Sequence, residues 1–246
     1  GYQAAQAGQA MLNAEHLTVT ETSGVTSLSD ISFSVHQGEI LGIAGVSGNG
    51  QSELLEVLAG IRKITSGTVQ IGDRKITAEQ PASPSEVKRL GLAHVPEDRH
   101  AMGLILPFTA AESAVLGYEY ADLMGGRSPI LSPAVMAAHC KTLMSSYDVR
   151  PAEPSLNSNL FSGGNQQKIV LARELSSQPD ILLVGQPTRG VDIGAIEFIH
   201  KQLFAMRDKG CAVILVSVEL DEIMSLSDRV MVMNEGKNMG ICLLYT

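Results

Sequence analysis

The sequence contains few cysteines, no tryptophan and no long apolar run. Cys140, Cys211 and Cys242 lie far apart and form no CxxC pair, which argues against a zinc site or a disulfide framework and fits a reducing compartment. The longest apolar stretches, such as CAVILVSV, have the length of a strand and are too short to span a bilayer. The first sixteen residues lack the basic and apolar regions of a signal peptide. We therefore expect a soluble, cytoplasmic chain that reaches a membrane only through a partner.

The sequence also lacks runs of lysine or arginine. Its formal net charge is −8, so unspecific attraction to the phosphate backbone of nucleic acids is not expected. The 246 residues, 44% of them hydrophobic, are enough to bury a substantial core. Residues 1–12, rich in Ala, Gln and Gly, resemble a linker or tail, and residues 13–246 are predicted to form the folded domain.

Two kinds of hydrophobic pattern predict an α/β fold. Alternating Thr- and Val-rich residues between Leu17 and Val35 predict antiparallel strands. Short apolar runs that alternate with helical stretches after Ser162 are typical of a parallel sheet, and EILGIAG and GLAHVPED add two further strands. The segment from about 109 to 160 has helix-forming stretches without a strand pattern, and it is predicted to be a small helical lobe.

A glycine-rich segment, GVSGNGQS, connects a predicted strand to a predicted helix. It fits the phosphate-loop frame GxxxxGK[ST] except that Gln51 replaces the lysine. Its glycines allow backbone N–H groups to surround an anion, although they would also suit a plain strand–helix turn. Loss of the lysine is expected to weaken phosphate binding about tenfold to a hundredfold. The candidate nucleotide-binding residues are Gly45, Ser47, Gly48, Asn49, Gly50, Gln51, Ser52 and Glu53, and the Ser52 hydroxyl is a candidate ligand of a weakly bound magnesium ion.

A second glycine motif, FSGGNQQK, begins at Phe161 and introduces a helix. Ser162 is a good N-cap, and the two glycines leave the first N–H groups of the helix accessible to an anion, although a capped helix without a ligand is the simpler interpretation. The order of the two motifs, with a helical lobe between them and an apolar strand after them, resembles the ATP-binding-cassette (ABC) family. That resemblance implies a P-loop NTPase cassette with a parallel-sheet core, an antiparallel β subdomain and a helical subdomain.

Several variants of these motifs resemble the second, degenerate cassette of tandem-cassette importers of nucleosides and simple sugars. They are LGIAGVSGNGQSEL, HVPEDR, FSGGNQQK, QPTRGVDIGAIEFIH and VSVELDEIMSLSDRV. The residues of QPTRGVDIGAIEFIH resemble the nucleoside branch more than the sugar branch. The resemblance covers about Leu12 to Lys237 and implies that the chain is the C-terminal half of a longer protein, which works with transmembrane permease subunits at the inner face of the membrane.

The resemblance also implies that the chain's own ATP site is disabled. Gly185 replaces the aspartate that holds magnesium, and Gln186 replaces the glutamate that activates water. Val218 stands in place of the switch histidine, and Glu97 lies in the region of the glutamine loop. A general base contributes about 10²–10⁴-fold to a rate, so hydrolysis at this site is not expected, whereas weak ATP binding stays compatible with the loop.

In ABC proteins each ATP lies between the phosphate loop of one cassette and the signature helix of another. The resemblance implies that this chain retains the residues that complete a partner's site, namely Asp192 and the signature residues Ser162, Gly163, Gly164, Asn165 and Gln166. The segment from Pro96 to Phe108 and the helical lobe would contact the membrane subunit. Two alternatives stay open: an autonomous ATPase, and a non-transport ABC protein of translation or repair.

Overall fold

The computed structural model describes residues 8–119 and 131–244. The chain divides into two compact units. The first unit comprises residues 1–97, 179–186 and 200–246, and the second comprises residues 98–178 and 187–199.

The first unit contains a four-stranded antiparallel sheet with the strand order β2-β1-β4-β5. Its strands are β1 (Ala10–Thr20), β2 (Thr26–His36), β4 (Ser66–Ile71) and β5 (Arg74–Ile76). Apolar residues of β1 and β2 alternate with more exposed ones, and this places one face of each strand in the core. The antiparallel strands expected between Leu17 and Val35 are therefore confirmed.

The start of β1 differs from the sequence-based expectation. The strand begins at Ala10, and the backbone N–H of Gly8 already donates to the carbonyl of Gln37 at 2.9 Å. The backbone N–H of Gln37 donates in return to the carbonyl of Gln9, also at 2.9 Å. The predicted tail boundary at residue 12 thus falls inside a strand, because backbone pairing extends the sheet through residues whose side chains give no strand pattern. Residues 1–7 lie outside the described part.

The second sheet of the first unit has six strands in the order β10-β9-β3-β8-β7-β6. They are β3 (Ile40–Ala44), β6 (Leu92–Val95), β7 (Ile181–Gly185), β8 (Ala212–Val216), β9 (Arg229–Asn234) and β10 (Lys237–Leu243). All neighbouring pairs are parallel except β9 and β10. Strands β7 and β8 are buried along their whole length, as expected for the interior of a parallel sheet.

In the described part of the first unit, the helices that lie wholly within it are α1 (Gln51–Leu58), α2 (Pro84–Arg89) and α7 (Leu220–Leu226). Helix α1 buries one side, including Leu54, Leu55 and Leu58, in a core that also contains side chains from both sheets. Helix α2 starts with Ser83 as its N-cap and Pro84 in its first turn, both of which favour a helix start.

The second unit is built from helices and turns. They are a single π-helical turn (Arg99–Gly103), α3 (Ala110–Ser113), α4 (Pro133–Ser146), a short 3₁₀ turn (Ser158–Leu160) and α5 (Gly163–Ser176). Helix α6 (Ile193–Asp208) begins in this unit and ends in the first. The helical lobe expected at about 109–160 contains α3 and α4, while its residues 120–130 lie outside the described part.

A buried polar network holds the second unit together. The Arg173 side chain is 4% exposed and donates from Nη1 to the carbonyls of Gly103 at 2.8 Å and Ser113 at 3.0 Å. Its Nε donates to Oε1 of Glu174 at 2.8 Å, and the Tyr118 hydroxyl donates to Oε2 of the same carboxylate at 2.5 Å. Burial, together with the Glu174 charge, raises the pKa of Tyr118 well above its usual range. A buried ion pair of this kind is sensitive to loss of either partner.

Among the residues that the structure describes, no helix combines the length and the apolar character needed to cross a bilayer.

Candidate functional site

The candidate residues of the first unit follow four strands of the parallel sheet, and they lie along the edge at which those strands end. The phosphate loop follows β3, Glu97 follows β6, Gln186 follows β7 and Val218 follows β8. The carboxyl ends of parallel strands meet at the same sheet edge, where open α/β sheets bind their ligands. The pairing of Gly185 with Val216 aligns the ends of β7 and β8.

The phosphate loop is closed by its glycines and by Asn49. Gly48 and Gly50 have φ of 87° and 100°, a region that favours glycine, and Gly50 caps α1. The Asn49 side chain donates to the carbonyl of Val46 at 2.9 Å and accepts from the backbone N–H of Glu235 at 2.7 Å. The loop is therefore held both from within and by the turn between β9 and β10.

Gln51 fills the interior of the loop with a neutral amide. Its Oε1 accepts from the backbone N–H of Asn49 at 3.1 Å, and its Nε2 donates to the carbonyl of Val46 at 3.1 Å. The Gln51 residue is only 5% exposed. A β-carbon on Gly45 would lie 2.7 Å from the backbone carbonyl oxygen of Met233 and 2.4 Å from Nε2 of Gln51, so glycine is needed beside this backbone and leaves room for the Gln51 side chain. The Gln51 side chain thus accepts from the backbone N–H of Asn49, one of the loop donors that the sequence predicts to surround an anion.

Ser52 and Glu97 bring two oxygen groups together at the start of α1. The Ser52 hydroxyl donates to Oε2 of Glu97 at 2.5 Å. Glu53 lies next to Ser52 in the first turn of the helix. Hydroxyl and carboxylate oxygens are ligands that suit a magnesium ion shared with phosphate oxygens, so Ser52 and Glu97 fit this metal. The sequence placed Glu97 in the region of the glutamine loop but did not predict its contact with Ser52.

The positions after β7 and β8 where the resemblance implies a glutamate and a histidine carry Gln186 and Val218. Gly185 is buried at the end of β7, and Gln186 follows it with φ of 46°. Oε1 of Gln186 accepts from the backbone N–H of Val218 at 3.2 Å, and the backbone N–H of Gln186 donates to the carbonyl of Val216 at 2.8 Å. An amide held in this way joins two strand ends and offers no basic group to a water molecule.

In the second unit, Ser162 caps the signature helix α5. Its hydroxyl accepts from the backbone N–H of Asn165 at 3.4 Å and from the Asn165 side chain at 2.9 Å. Oδ1 of Asn165 in turn accepts from the backbone N–H of Arg150 at 2.7 Å. Ser162 is exposed and Gly163 is partly exposed, so the start of the helix is open to solvent. A helix start of this form attracts anions.

Asp192 lies beside the signature helix. Its Oδ1 accepts from the backbone N–H of Ala195 at 2.9 Å, which caps the start of α6. A β-carbon on Gly164 would lie 2.8 Å from Oδ2 of Asp192 and 3.1 Å from Cβ of Ala195. A larger side chain at this position would have to displace Asp192 and Ala195, and the structure brings Gly164 of the predicted signature residues and Asp192 together.

Arg99 connects the same elements, although no sequence motif singled it out. Its Nη1 donates to the carbonyl of Arg189 at 2.9 Å, and its Nε donates to Oε1 of Gln166 at 3.3 Å. Burial lowers the pKa of Arg99 from its ordinary value, and the positive charge of Arg189 acts in the same direction, against the opposing effect of Asp98. The only available signal was its place in HVPEDR, directly after a buried strand.

The segment after Arg99 exposes apolar side chains. Met102, Ile105 and Phe108 are 46%, 38% and 39% exposed. The π-helical turn that contains Met102 and precedes the other two is capped by Asp98, whose pKa is held below its usual range by hydrogen bonds from the backbone N–H groups of Ala101 and His100. The cap fixes the backbone at the start of the turn from which the apolar segment continues.

Comparisons with known proteins find relatives that are named as ATP-binding proteins of importers. The guanosine import ATP-binding protein NupO of Bacillus subtilis (strain 168) is 44% identical over 95% of this chain and 45% of its own length. The nucleoside import ATP-binding protein NupA of Lactococcus lactis subsp. cremoris is 42% identical over 97% of this chain and 46% of its own length. The ribose import ATP-binding protein RbsA of Chromobacterium violaceum is 35% identical, with 92% and 44% covered. The chain thus spans slightly less than half the length of these curated relatives.

Solved structures share the fold. A nucleotide-free ATP-binding cassette from an ABC transporter superposes with a TM-score of 0.79 at 20% identity, covering 96% of this chain and 92% of that one. A dimeric cassette in a post-hydrolysis state, bound to ADP and Pi, also gives 0.79 at 22% identity, covering 96% of this chain and all of that one. The P-loop NTPase fold of an ABC cassette is therefore confirmed. A family model described as ABC transporter matches residues 28–189, and the chain belongs to the ABC transporter family.

Proposed function

We propose that this chain is a nucleotide-binding cassette of an importer for nucleosides or simple sugars. In this role it does not hydrolyse ATP at its own site and completes the ATP site of a second cassette through its signature helix. The observation that carries the proposal is the contrast between its two candidate sites. The site along the sheet edge has the amide of Gln186 after β7 and the side chain of Val218 after β8, whereas the start of α5 retains an open, capped helix terminus beside Asp192.

Loss of hydrolysis at the chain's own site follows from the side chains present. A water molecule that attacks a phosphoryl group needs an acceptor for its proton or a group that orients it. Gln186 holds its amide oxygen against the backbone of Val218, and the Val218 side chain can neither donate nor accept a hydrogen bond. Gln51 supplies no positive charge to the phosphates. Weak, non-productive ATP binding is the expected behaviour of this site.

The partner site rests on the chemistry of the second unit. The first N–H groups of α5 and the Ser162 hydroxyl can donate to the γ-phosphate of a nucleotide bound by another cassette, and the helix dipole stabilises the charge that develops there. Arg99 fixes the carbonyl of Arg189 and the side chain of Gln166, so it positions the loop before Asp192 relative to the signature helix.

The class of transported compound is proposed from the relatives. The names of two of them specify import of guanosine or nucleosides, and another names ribose. Since the chain spans less than half the length of these proteins, we propose that it corresponds to their second cassette. The exposed apolar segment containing Met102, Ile105 and Phe108 is proposed to contact transmembrane permease subunits, which would hold the cassette at the inner face of the membrane.

The test mixes this chain with the first cassette of the same transporter and measures the rate of ATP hydrolysis. Ser162→Arg places a bulky side chain and a new charge at the start of α5, and it is expected to reduce the rate of the mixture by about 10²-fold or more, since it removes donors to the transition state. This chain alone is expected to show no turnover above background.

Ser145→Arg is the matched control. Ser145 is exposed on α4 of the same unit, so the substitution adds the same side chain away from the signature helix. Circular dichroism of both variants checks that the helices are retained. An unchanged rate with Ser162→Arg would refute the role in a partner's site. Measurable hydrolysis by the isolated chain would favour an autonomous ATPase, and tight RNA or DNA binding at physiological salt would favour a non-transport protein.

A further inference from the structure

A tight turn ahead of helix α6 carries an arginine at its tip. The Thr188 carbonyl accepts from the backbone N–H of Val191 at 3.4 Å, and Gly190 adopts φ of 67°, a region that favours glycine. Arg189 lies between these residues and is exposed. Its carbonyl accepts from Nη1 of Arg99 at 2.9 Å. The backbone from which the Arg189 side chain extends is therefore held in place.

This turn packs directly against the start of the signature helix α5. A β-carbon on Gly163, the first residue of α5, would lie 2.7 Å from the carbonyl oxygen of Gly190 and 2.7 Å from Nη2 of Arg99. Arg189 precedes Gly190 in the chain, so its backbone lies one residue from that contact. The long arginine side chain can reach the space in front of the first N–H groups of α5.

Two positive charges lie close together at this place. Burial lowers the pKa of Arg99, and the positive charge of Arg189 lowers it further, so each cation is within range of the other. Asp98 directs its carboxylate to the backbone N–H groups of His100 and Ala101. Within residues 8–119 and 131–244, neither guanidinium forms an ion pair with a carboxylate. Two such cations beside the positive end of a helix favour binding of an anion.

We propose that Arg189 is a catalytic residue supplied in trans, whose guanidinium donates to the γ-phosphate of the nucleotide bound by the second cassette. The inference rests on the proposed function, since it assumes that the start of α5 faces that nucleotide. The planar guanidinium matches two phosphate oxygens, and an arginine supplied by a neighbouring domain stabilises the charge of phosphoryl transfer. Arg99 is the positioning residue, because it holds the Arg189 carbonyl and its charge repels the Arg189 guanidinium towards solvent.

The reaction at the second cassette is ordinary ATP hydrolysis. A water oxygen bonds to the γ-phosphorus, the bond from that phosphorus to the β–γ bridging oxygen breaks, and ADP and inorganic phosphate leave. One water proton stays on the phosphate, and the other passes to the general base of the second cassette and then to solvent. Arg189 keeps its proton throughout, since the pKa of a guanidinium lies above about 12, and it acts only on the charge of the γ-phosphate oxygens.

Arg189→Gln removes the charge and keeps a polar side chain. The chain is mixed with the first cassette of the same transporter, and ATP hydrolysis is measured as the concentration of this chain is raised. The maximal rate is expected to fall about tenfold to a hundredfold, which is the effect of one charged hydrogen bond. The KM for ATP should change less than about twofold, since the contact strengthens in the transition state. Capture of ADP with aluminium fluoride, a mimic of that state, should fall at least about tenfold.

Two further variants separate charge at this position from charge in general. Lys141→Gln is the matched control, because Lys141 is exposed on α4 of the same unit and the substitution removes the same charge. Its rate should equal that of the unaltered chain. Arg189→Lys keeps the charge without the planar fork, so its rate should lie between those of Arg189→Gln and the unaltered chain. Melting curves of all variants should coincide, because Arg99 contacts the backbone of residue 189.

The inference and the proposed function fail in different ways. An unchanged maximal rate with Arg189→Gln, or an equal loss with Lys141→Gln, would overturn the role of Arg189. The proposed function would stand if Ser162→Arg still lowered the rate. A loss that more of the Arg189→Gln chain fully restores would also overturn the inference, because Arg189 would then only hold the two cassettes together. An unchanged rate with Ser162→Arg would contradict the proposed function itself.

Discussion

Replacing Gln51 by lysine tests the proposal that the neutral amide weakens phosphate binding at this loop. In the free chain, Gln51 makes two hydrogen bonds of 3.1 Å to the loop backbone, and one of them occupies the Asn49 N–H. Each neutral bond contributes about 0.5–1.5 kcal/mol, whereas a charged donor to a phosphate contributes about 1.5–3 kcal/mol. Gln51→Lys is therefore expected to tighten ATP binding about tenfold to a hundredfold. Calorimetric titration with Mg-ATP measures the affinity.

Gln51→Met is the control for charge. It has a similar length and frees the Asn49 N–H without adding a cation, so it is expected to tighten binding about twofold to tenfold. Hydrolysis should stay at background in both variants, because Gln186 and Val218 are unchanged. An affinity for ATP that differs less than twofold between Gln51→Lys and the unaltered chain would refute the reasoning, and equal gains in the two variants would exclude charge as its cause.

Three further predictions concern stability and reactivity. Arg173→Met is expected to lower the free energy of unfolding by about 3–5 kcal/mol in urea titrations, because it leaves a buried carboxylate without its cation; a loss below about 1 kcal/mol would contradict this. Burial raises the pKa of the Cys140 and Cys211 thiols to about 12, so mass spectrometry after brief maleimide treatment should find only the exposed Cys242 modified. Asp98 has a folded-state pKa below its unfolded value of about 3.9, so its stabilising effect is complete above that pH and disappears as the pH falls through the folded-state pKa. Urea midpoints of Asp98→Asn should therefore fall less steeply below about pH 4 than those of the unaltered chain, and parallel curves would disprove the effect.

The sheets and motifs of the fold could be predicted only in part from the sequence. Apolar runs such as Ile181–Gly185 and Ala212–Val216 have strand length and lie between helical stretches, so a parallel sheet was predictable. The phosphate loop and the signature helix follow fixed local spacings, which also identify them directly. The first strand was predicted to start too late, because Gly8 and Gln9 join the sheet through backbone atoms alone.

The contacts that distinguish this chain depend on long-range register. Glu97 and Gly185 are distant in sequence and meet because β6 and β7 are neighbours. Arg99 belongs to a π-helical turn, and no residue pattern predicts that turn within a segment expected to be a loop. The sequence shows that Gly185 provides no acidic side chain at the end of β7. Only the pairing of β6 with β7 shows that the side chain of Glu97 lies in front of Gly185.

The closed phosphate loop bears on how the stability of this domain depends on the concentration of ATP. Asn49 and Gln51 hold the loop with the chain's own side chains, and Gly236 donates to the carbonyl of Asn49 at 3.0 Å. A protein whose native state is completed by a ligand gains stability as RT ln(1 + [L]/Kd), so its folded fraction follows the ligand concentration. Since we propose that ATP binds only weakly at this loop, [L]/Kd is small and so is this contribution. The folded fraction of the domain would therefore change little when ATP is depleted.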